Sequence, residues 1–217
     1  AKVSRVDPET KDAIVEIGKA QEPLFRSEQI PNETLLPGML IKVYIAGVAD
    51  AKEGRRGPRV TISRTHPGLV KRLFESEVPE IYDGTVEIKA VSREAGSRTK
   101  IAVYSADENV DAVGACIGPR GARVGKIVDM LYGEKIDIVK YSDDPKEFIA
   151  ASLAPAEVIS VTIDENAEKS CRVIVPDLQL SLAIGNKGQN ARLAAKLTGW
   201  KIDIKPESGK TDPSVEL

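Results

Sequence analysis

Over the first 66 residues, apolar and polar positions alternate in short runs separated by turn residues. The runs read "AKVSRVD", "DAIVEIG", "EPLFRS", "GMLIKVYIAGV" and "PRVTISRT". A period of two marks a half-buried strand. Five such strands in about 65 residues predict a small closed barrel, and the OB fold is the commonest five-stranded solution.

From residue 67 the pattern alternates between helical and strand periods, and it does so twice. In "PGLVKRLFESEVPEIY", Leu69, Arg72, Leu73 and Phe74 fall on helical spacing; in "DPKEFIAASLAPA", Asp144 is a predicted N-cap, Pro145 the first helical residue and Glu147 the third after the cap. Each helix is followed by two β-rich runs, "TVEIKAVS" and "TKIAVYSA" in the first unit, "VISVTIDE" and "SCRVIVPD" in the second. Then come Ile-Gly-x-x-Gly, an amphipathic stretch, a glycine and Lys-Ile-Asp-Ile. The offset between units is 67 from Gly118 to Gly185 but 66 from Lys135 to Lys201, so one residue is lost in the turn before the last strand. Each unit reads helix–strand–strand–helix–Gly-x-x-Gly–helix–strand. The predicted division is a barrel over 1–66, repeat units over 67–142 and 143–208, and a frayed polar tail over 209–217.

Composition narrows the function classes. The chain has 217 residues, 41% hydrophobic and 29% charged, so it folds and buries cores. Aromatics at 4% argue against a ligand surface of many stacked rings, and a net charge of −2 argues against an indiscriminate polyanion binder. The charge is segregated, however. Residues 52–72 hold seven Lys/Arg against Glu53 alone, 178–202 hold no acid, and 143–168 are acidic. Cys116 and Cys171 belong to no CxxC or Cys/His cluster and read as buried thiols of a reducing compartment. No signal peptide, long apolar run or lipidation motif is present, which predicts a cytoplasmic protein.

A single glycine pair reads as readily as a helix–helix turn needing positive φ. Here the pair recurs with its surroundings: an apolar residue before it (Ile117, Ile184), a basic residue inside it (Arg120, Lys187) and a helix after it. Two glycines without side chains let a phosphate approach main-chain N–H groups, at the positive end of the helix that follows. Such a loop is the clamp of a KH domain, which holds about four nucleotides of a single strand. In "GPRGARVGKI" the spacing is wrong for a Walker A loop, and no G-x-G-x-x-G follows a strand. Predicted RNA-contacting residues are Gly118, Pro119, Arg120, Gly121 and Arg123 in the first loop, and Gly185, Asn186, Lys187, Gly188, Gln189 and Asn190 in the second, with Arg64, His66, Lys126 and Arg192 as additional contacts. Pro119 lacks an N–H, which shifts phosphate contact in the first loop toward Arg120 and Arg123. No acid/base pair, triad or metal-ligand set emerges, so the sequence is read as non-enzymatic, with no cofactor and no metal.

Helix and two strands before the loop, with one strand after it, is the type II KH arrangement. The fold class read from the sequence is therefore α+β and multidomain: a five-stranded OB-fold β-barrel followed by two tandem type II KH domains, each αββααβ. The segments 61–81, 114–124 ("GACIGPRGARV"), 133–145, 153–156 ("LAPA") and 181–204 ("LSLAIGNKGQNARLAAKLTGWKIDI") resemble those of the NusA family of bacterial transcription elongation factors, over about residues 1–206. The resemblance implies an RNA-binding core with a barrel of the ribosomal-protein-S-one type. It also implies roles in pausing, termination and antitermination. RNA polymerase would be a partner through an amino-terminal part absent from this chain, other antitermination proteins further partners, and the chain a monomer. S-one barrels read RNA with paired aromatics on their second and third strands, whereas Phe25 is the sole ring there. Two other readings stay open: an accessory module of an RNA-degrading enzyme, although those place the KH before the barrel, and a ribosome-associated KH protein, which would lack the barrel. The short "VKYSDD" connection predicts that helix 145–153 packs Phe148, Ile149 and Leu153 on the first unit.

Overall fold

The computed structural model describes residues 1–49 and 59–209; of the basic run over 54–59, whose sequence predicts a hairpin tip, all but Arg59 lies outside the described residues, as does the predicted tail over 209–217 apart from Gly209. Strands β1 (Lys2–Val6), β2 (Ala13–Ile17) and β3 (Ala20–Leu24) form an antiparallel sheet, and β4 (Tyr44–Ala49) pairs with β5 (Arg59–Ser63). The run "GMLIKVYIAGV" is not one strand. Residues 38–41 lie along β1, with Val3 N–H donating to Met39 at 2.8 Å and Ile41 N–H to Ala1 at 2.9 Å, and the chain then turns into β4. The result is an OB-like region in two sheets, closed around Val3, Val15, Leu24 and Ile62.

The first KH domain follows: α1 (Pro67–Glu77), the short α2 (Pro79–Tyr82), β6 (Val86–Glu94), β7 (Arg98–Ser105), α3 (Ala112–Ile117), α4 (Ala122–Met130) and β8 (Lys135–Lys140). The second repeats it: α5 (Pro145–Ser152), β9 (Ser160–Ile163), β10 (Ser170–Val175), α6 (Leu180–Ile184), α7 (Gln189–Thr198) and β11 (Lys201–Pro206). In each sheet the middle strand is antiparallel to the one before it and parallel to the last. Pro145 opens α5 and Asp144 caps it by accepting from Lys146 N–H at 2.9 Å. Glu147 does not close a capping box; it accepts instead from the Ser142 hydroxyl. The missing residue of the second repeat is in the predicted turn. The first turn uses Tyr132 and Gly133, both at positive φ, where the second uses Gly199 alone after a longer helix.

The three units are docked. Ile30 of the barrel lies in the first KH core with Leu69, Phe74 and Ile127, and Asn32 donates to Gly96 O at 2.8 Å. Four residues, 141–144, join the KH domains. Their interface buries Ala102 and Val139 of the first sheet against Phe148 and Leu197 of the second domain. Full burial of a side chain of that size contributes about 1.5–3 kcal/mol. Of the three α5 residues predicted to face the first unit, Phe148 does so, while Ile149 and Leu153 belong to the second domain's own core and α7 shares the docking place with α5. This explains a difference between equivalent strands. In β7, residues 99–103 are all buried since helices cover both faces, whereas β10 alternates because the described residues leave one face uncovered. On that open face Ser160, Ile174 and Lys205 occupy the registers of Ala90, Ala102 and Val139. The buried Lys100–Asp137 pair has its counterpart in Arg172–Asp203, which lies exposed at 3.6 Å.

Both cysteines are buried and unpaired, and burial pushes the Cys116 thiol up to about 12 and the Cys171 thiol up to about 11. Neither is a thiolate at neutral pH. An alkylating reagent should therefore modify neither in native buffer and both after denaturation, as read by mass spectrometry. Fast native labelling would contradict this packing.

Candidate nucleic-acid interface

The two Gly-x-x-Gly loops share little sequence beyond their glycines, yet trace the same backbone. Gly118 (φ 73°, ψ 173°) and Gly185 (φ 79°, ψ 170°) end α3 and α6 in a region essentially reserved for glycine. The third residue of each loop, Arg120 (φ 53°) or Lys187 (φ 50°), and the closing Gly121 (φ 77°) or Gly188 (φ 70°) are left-handed. The two glycines of a loop do different work. A Cβ on Gly118 would come within 2.5 Å of Arg123 Cγ, and one on Gly185 within 2.7 Å of the Asn190 backbone nitrogen. The first glycine is thus required by conformation and packing. A Cβ on Gly121 would meet nothing within 4 Å, and one on Gly188 would meet only Arg192 Nη1 at 4.0 Å. The second glycine leaves an open approach to the backbone. Helices α4 and α7 begin there without a side-chain cap, so their positive ends face the same opening.

The predicted contact residues divide into groups. Pro119, Arg120, Asn186 and Lys187 are exposed, and no side chain among the described residues pairs with Arg120, Asn186 or Lys187. Arg123 and Asn190 sit at the same repeat position and perform the same bracing. Arg123 Nη1 donates to Ala115 O (2.6 Å) and Glu80 (2.8 Å), while Asn190 Nδ2 donates to Ala183 O (2.9 Å) and Leu153 O (3.0 Å). Asn190 is 3% exposed, so its amide has no access to a ligand. It shapes the loop from beneath, and its assignment as a contact is corrected accordingly.

Arg64 is likewise corrected. It is 2% exposed, its guanidinium paired with buried Glu33 and donating to Lys42 O and, at 3.4 Å, to Met130 O. It ties the barrel to the first KH domain. His66 caps α1, Nδ1 accepting from Gly68 N–H at 2.9 Å, and stacks on Tyr44 with centroids 4.6 Å apart. Lys126 pairs with Glu77 at 2.7 Å but keeps a side chain 61% exposed. Phe25, 48% exposed, follows β3 at the barrel surface.

Gln189 and Arg192 face the first KH domain. Gln189 Nε2 donates to Glu94 (2.9 Å) and Ser97 (2.7 Å), and Arg192 Nε and Nη2 donate to Glu94 at 2.6 and 3.1 Å. The Arg192 guanidinium, with Gln189 beside it, holds the Glu94 carboxyl below the usual carboxylate range despite partial burial. Glu94 and Ser97 were not predicted. The signal was in the repeat: Gln189 and Arg192 stand where the first unit has Ala122 and Gly125, a polar pair replacing a bare surface.

Comparison with known proteins agrees with this architecture. Residues 64–141 match the family described as NusA-like first KH domain, and 145–212 the NusA-like second KH domain. The transcription termination/antitermination protein NusA of Halalkalibacterium halodurans is 60% identical over 194 residues, covering 89% of this chain and 50% of that protein. The protein of the same name from Bacillus subtilis is 58% identical over 206 residues (95% and 54%), and that from Thermus thermophilus 49% over 200 (92% and 50%). The chain spans about half the length of these relatives. With both NusA-like KH domains in tandem behind an OB-like region, it belongs to the NusA family.

Proposed function

We propose that the two Gly-x-x-Gly loops hold the sugar–phosphate backbone of one single-stranded RNA, and that the protein acts through this RNA in transcription termination and antitermination. The observation that carries the reading is the pair of backbone-identical loops. Each has an open second glycine, an uncapped helix start and a free cation, Arg120 or Lys187. The names of the relatives support the transcriptional setting. In this reading the chain is a non-catalytic, cytoplasmic monomer, RNA polymerase is the protein partner of the whole factor, and other antitermination proteins are further partners. Of the predicted contacts, the glycines with Pro119, Arg120, Asn186 and Lys187 touch RNA directly. Arg192 and Gln189 flank the path, Arg123 and Asn190 shape the loops, and Lys126 and His66 lie further out.

The test is binding of the chain to matched single-stranded RNA, single-stranded DNA and duplex across a salt series. Affinity should fall steeply with salt, at about 0.7 per neutralised phosphate for single strands. Lys187→Ala should lower that slope by about one contact and weaken all sequences alike. A slope untouched by Lys187→Ala would take the second loop off the RNA path. Labelled RNA should also remain intact with and without divalent metal, and cleavage that follows the chain through purification would end the non-catalytic reading.

A further inference from the structure

Four residues after its second glycine the second loop carries a cation where the first has Gly125, and a residue of the other KH domain holds it. Arg192 lies beside Gly188, its Nη1 being the one group among the described residues that a carbon added to that glycine would meet, at 4.0 Å. Left alone, a side chain of this length on an exposed first turn would sample many rotamers. Here both ends of the guanidinium are fixed. Nε and Nη2 fork onto the Glu94 carboxylate, and Nη1 donates at 3.0 Å to the carbonyl of Lys187, the left-handed residue inside the loop. Three of the five guanidinium N–H groups are thereby used, and two remain. The equivalent position in the first KH domain is Gly125, with open space around it.

We propose that Glu94, a carboxylate of the first KH domain, is a positioning residue for RNA binding at the second loop. It holds Arg192 against the open face of Gly188, where the guanidinium and Lys187 together form a two-cation phosphate site. This rests on the reading of the loops as RNA clamps and adds to it a division of labour. The strength of the second loop as a phosphate site depends on the domain beside it. Glu94 is negative and stands near the RNA path, so a bystander role and a positioning role have opposite signs. Removing a bystander acid would tighten RNA binding, whereas removing a positioning acid loosens it.

The experiment is titration of an unstructured RNA long enough to touch both loops, over a salt series, with the 217-residue chain. Glu94→Ala should weaken binding roughly threefold to tenfold and lower the salt slope by about 0.7, one phosphate contact. Arg192→Ala should do the same, and the double variant should bind no worse than Arg192→Ala alone, because one acts through the other. Glu94→Gln, which keeps the volume, should show the same loss to a smaller degree and guards against a misfolded alanine variant. Equal or tighter binding by Glu94→Ala, or losses that add in the double variant, overturns the proposal. Ser97→Ala removes a hydrogen bond across the same interface without touching Arg192. If it lowers the slope as much as Glu94→Ala, the effect is that of a loosened interface and the proposal fails. Lys187→Ala separates the two layers of argument. If it lowers the slope while Glu94→Ala does not, only the positioning role falls; if it too leaves the slope unchanged, the clamp reading and this proposal fall together.

Discussion

Gly185→Ala is expected to destabilise the second KH domain by about 3 kcal/mol or more and to weaken RNA binding at least tenfold. Two costs add. An alanine at φ 79°, ψ 170° is strained, at about 1–3 kcal/mol for such outliers. Its methyl would also lie 2.7 Å from a backbone nitrogen, Asn190 N, which cannot rotate away as a side chain can. Relief requires moving the start of α7, and that start is the proposed phosphate site. Gly118→Ala is the informative comparison. Its backbone strain is the same, but the nearest obstructing atoms, Arg123 Cγ and Cδ, can shift at the loss of the bonds to Ala115 O and Glu80, which leaves only Arg123 Cβ, at 2.9 Å, to be relieved through the backbone. Gly188→Ala meets no such obstacle and should cost only the left-handed penalty, about 1–2 kcal/mol. Chemical denaturation of the three variants should give the order Gly185 > Gly118 > Gly188. A Gly185→Ala protein within about 1 kcal/mol of the parent would mean that the loop is softer than its geometry indicates.

Reversing the charge in either loop alone, by Arg120→Asp or Lys187→Asp, is expected to remove most of the affinity for an RNA that crosses both loops, a loss of at least about tenfold. The ground is the interface that fixes the loops relative to one another: Phe148 and Leu197 packed on Ala102 and Val139, the Lys100 ammonium donating to Ala154 O at 2.7 Å, and the Glu94 bridge. Once one loop is occupied, the second is met at the effective concentration of a tethered site. An RNA too short to reach both should bind the parent far more weakly, and each reversal should then affect only its own loop. Equal affinity for short and long RNA, with NMR relaxation showing separate tumbling of the two domains, would contradict the fixed register.

Much of this was legible in the chain, because local rules and repetition spoke together. Asp144-Pro145 announces a capped helix, and the glycine pair recurs at an offset of 67 with matching strands around it. What could not be read were properties of pairs distant in sequence. Asn190 looks like a polar donor beside a clamp, and only packing shows that its amide is used on Leu153 and Ala183. Arg64 looks like a free cation at the end of a strand until Glu33, from another turn of the barrel, is placed against it. Helix α5 was expected at the domain interface because it follows the linker directly. It is there through Phe148, but helix α7 shares the place because it carries Leu197 and a polar face matched to the first sheet's hairpin.

The polar substitutions on the second KH sheet decide how the domains can be ordered. The first sheet offers alanine, alanine and valine to an incoming helix, with an ion pair sealed beneath it; the second offers serine, isoleucine and lysine, with the ion pair in water. Burying Lys205 and the Arg172–Asp203 pair under another helix would strip hydration from charges that nothing new compensates. The docking between these two domains is therefore one-way. Transposing the two domains would place a wettable sheet where a dry seat is needed and leave the dry one facing solvent. The direction in which this protein presents its two loops is thus written into three side chains on the back of a sheet, far from either glycine pair.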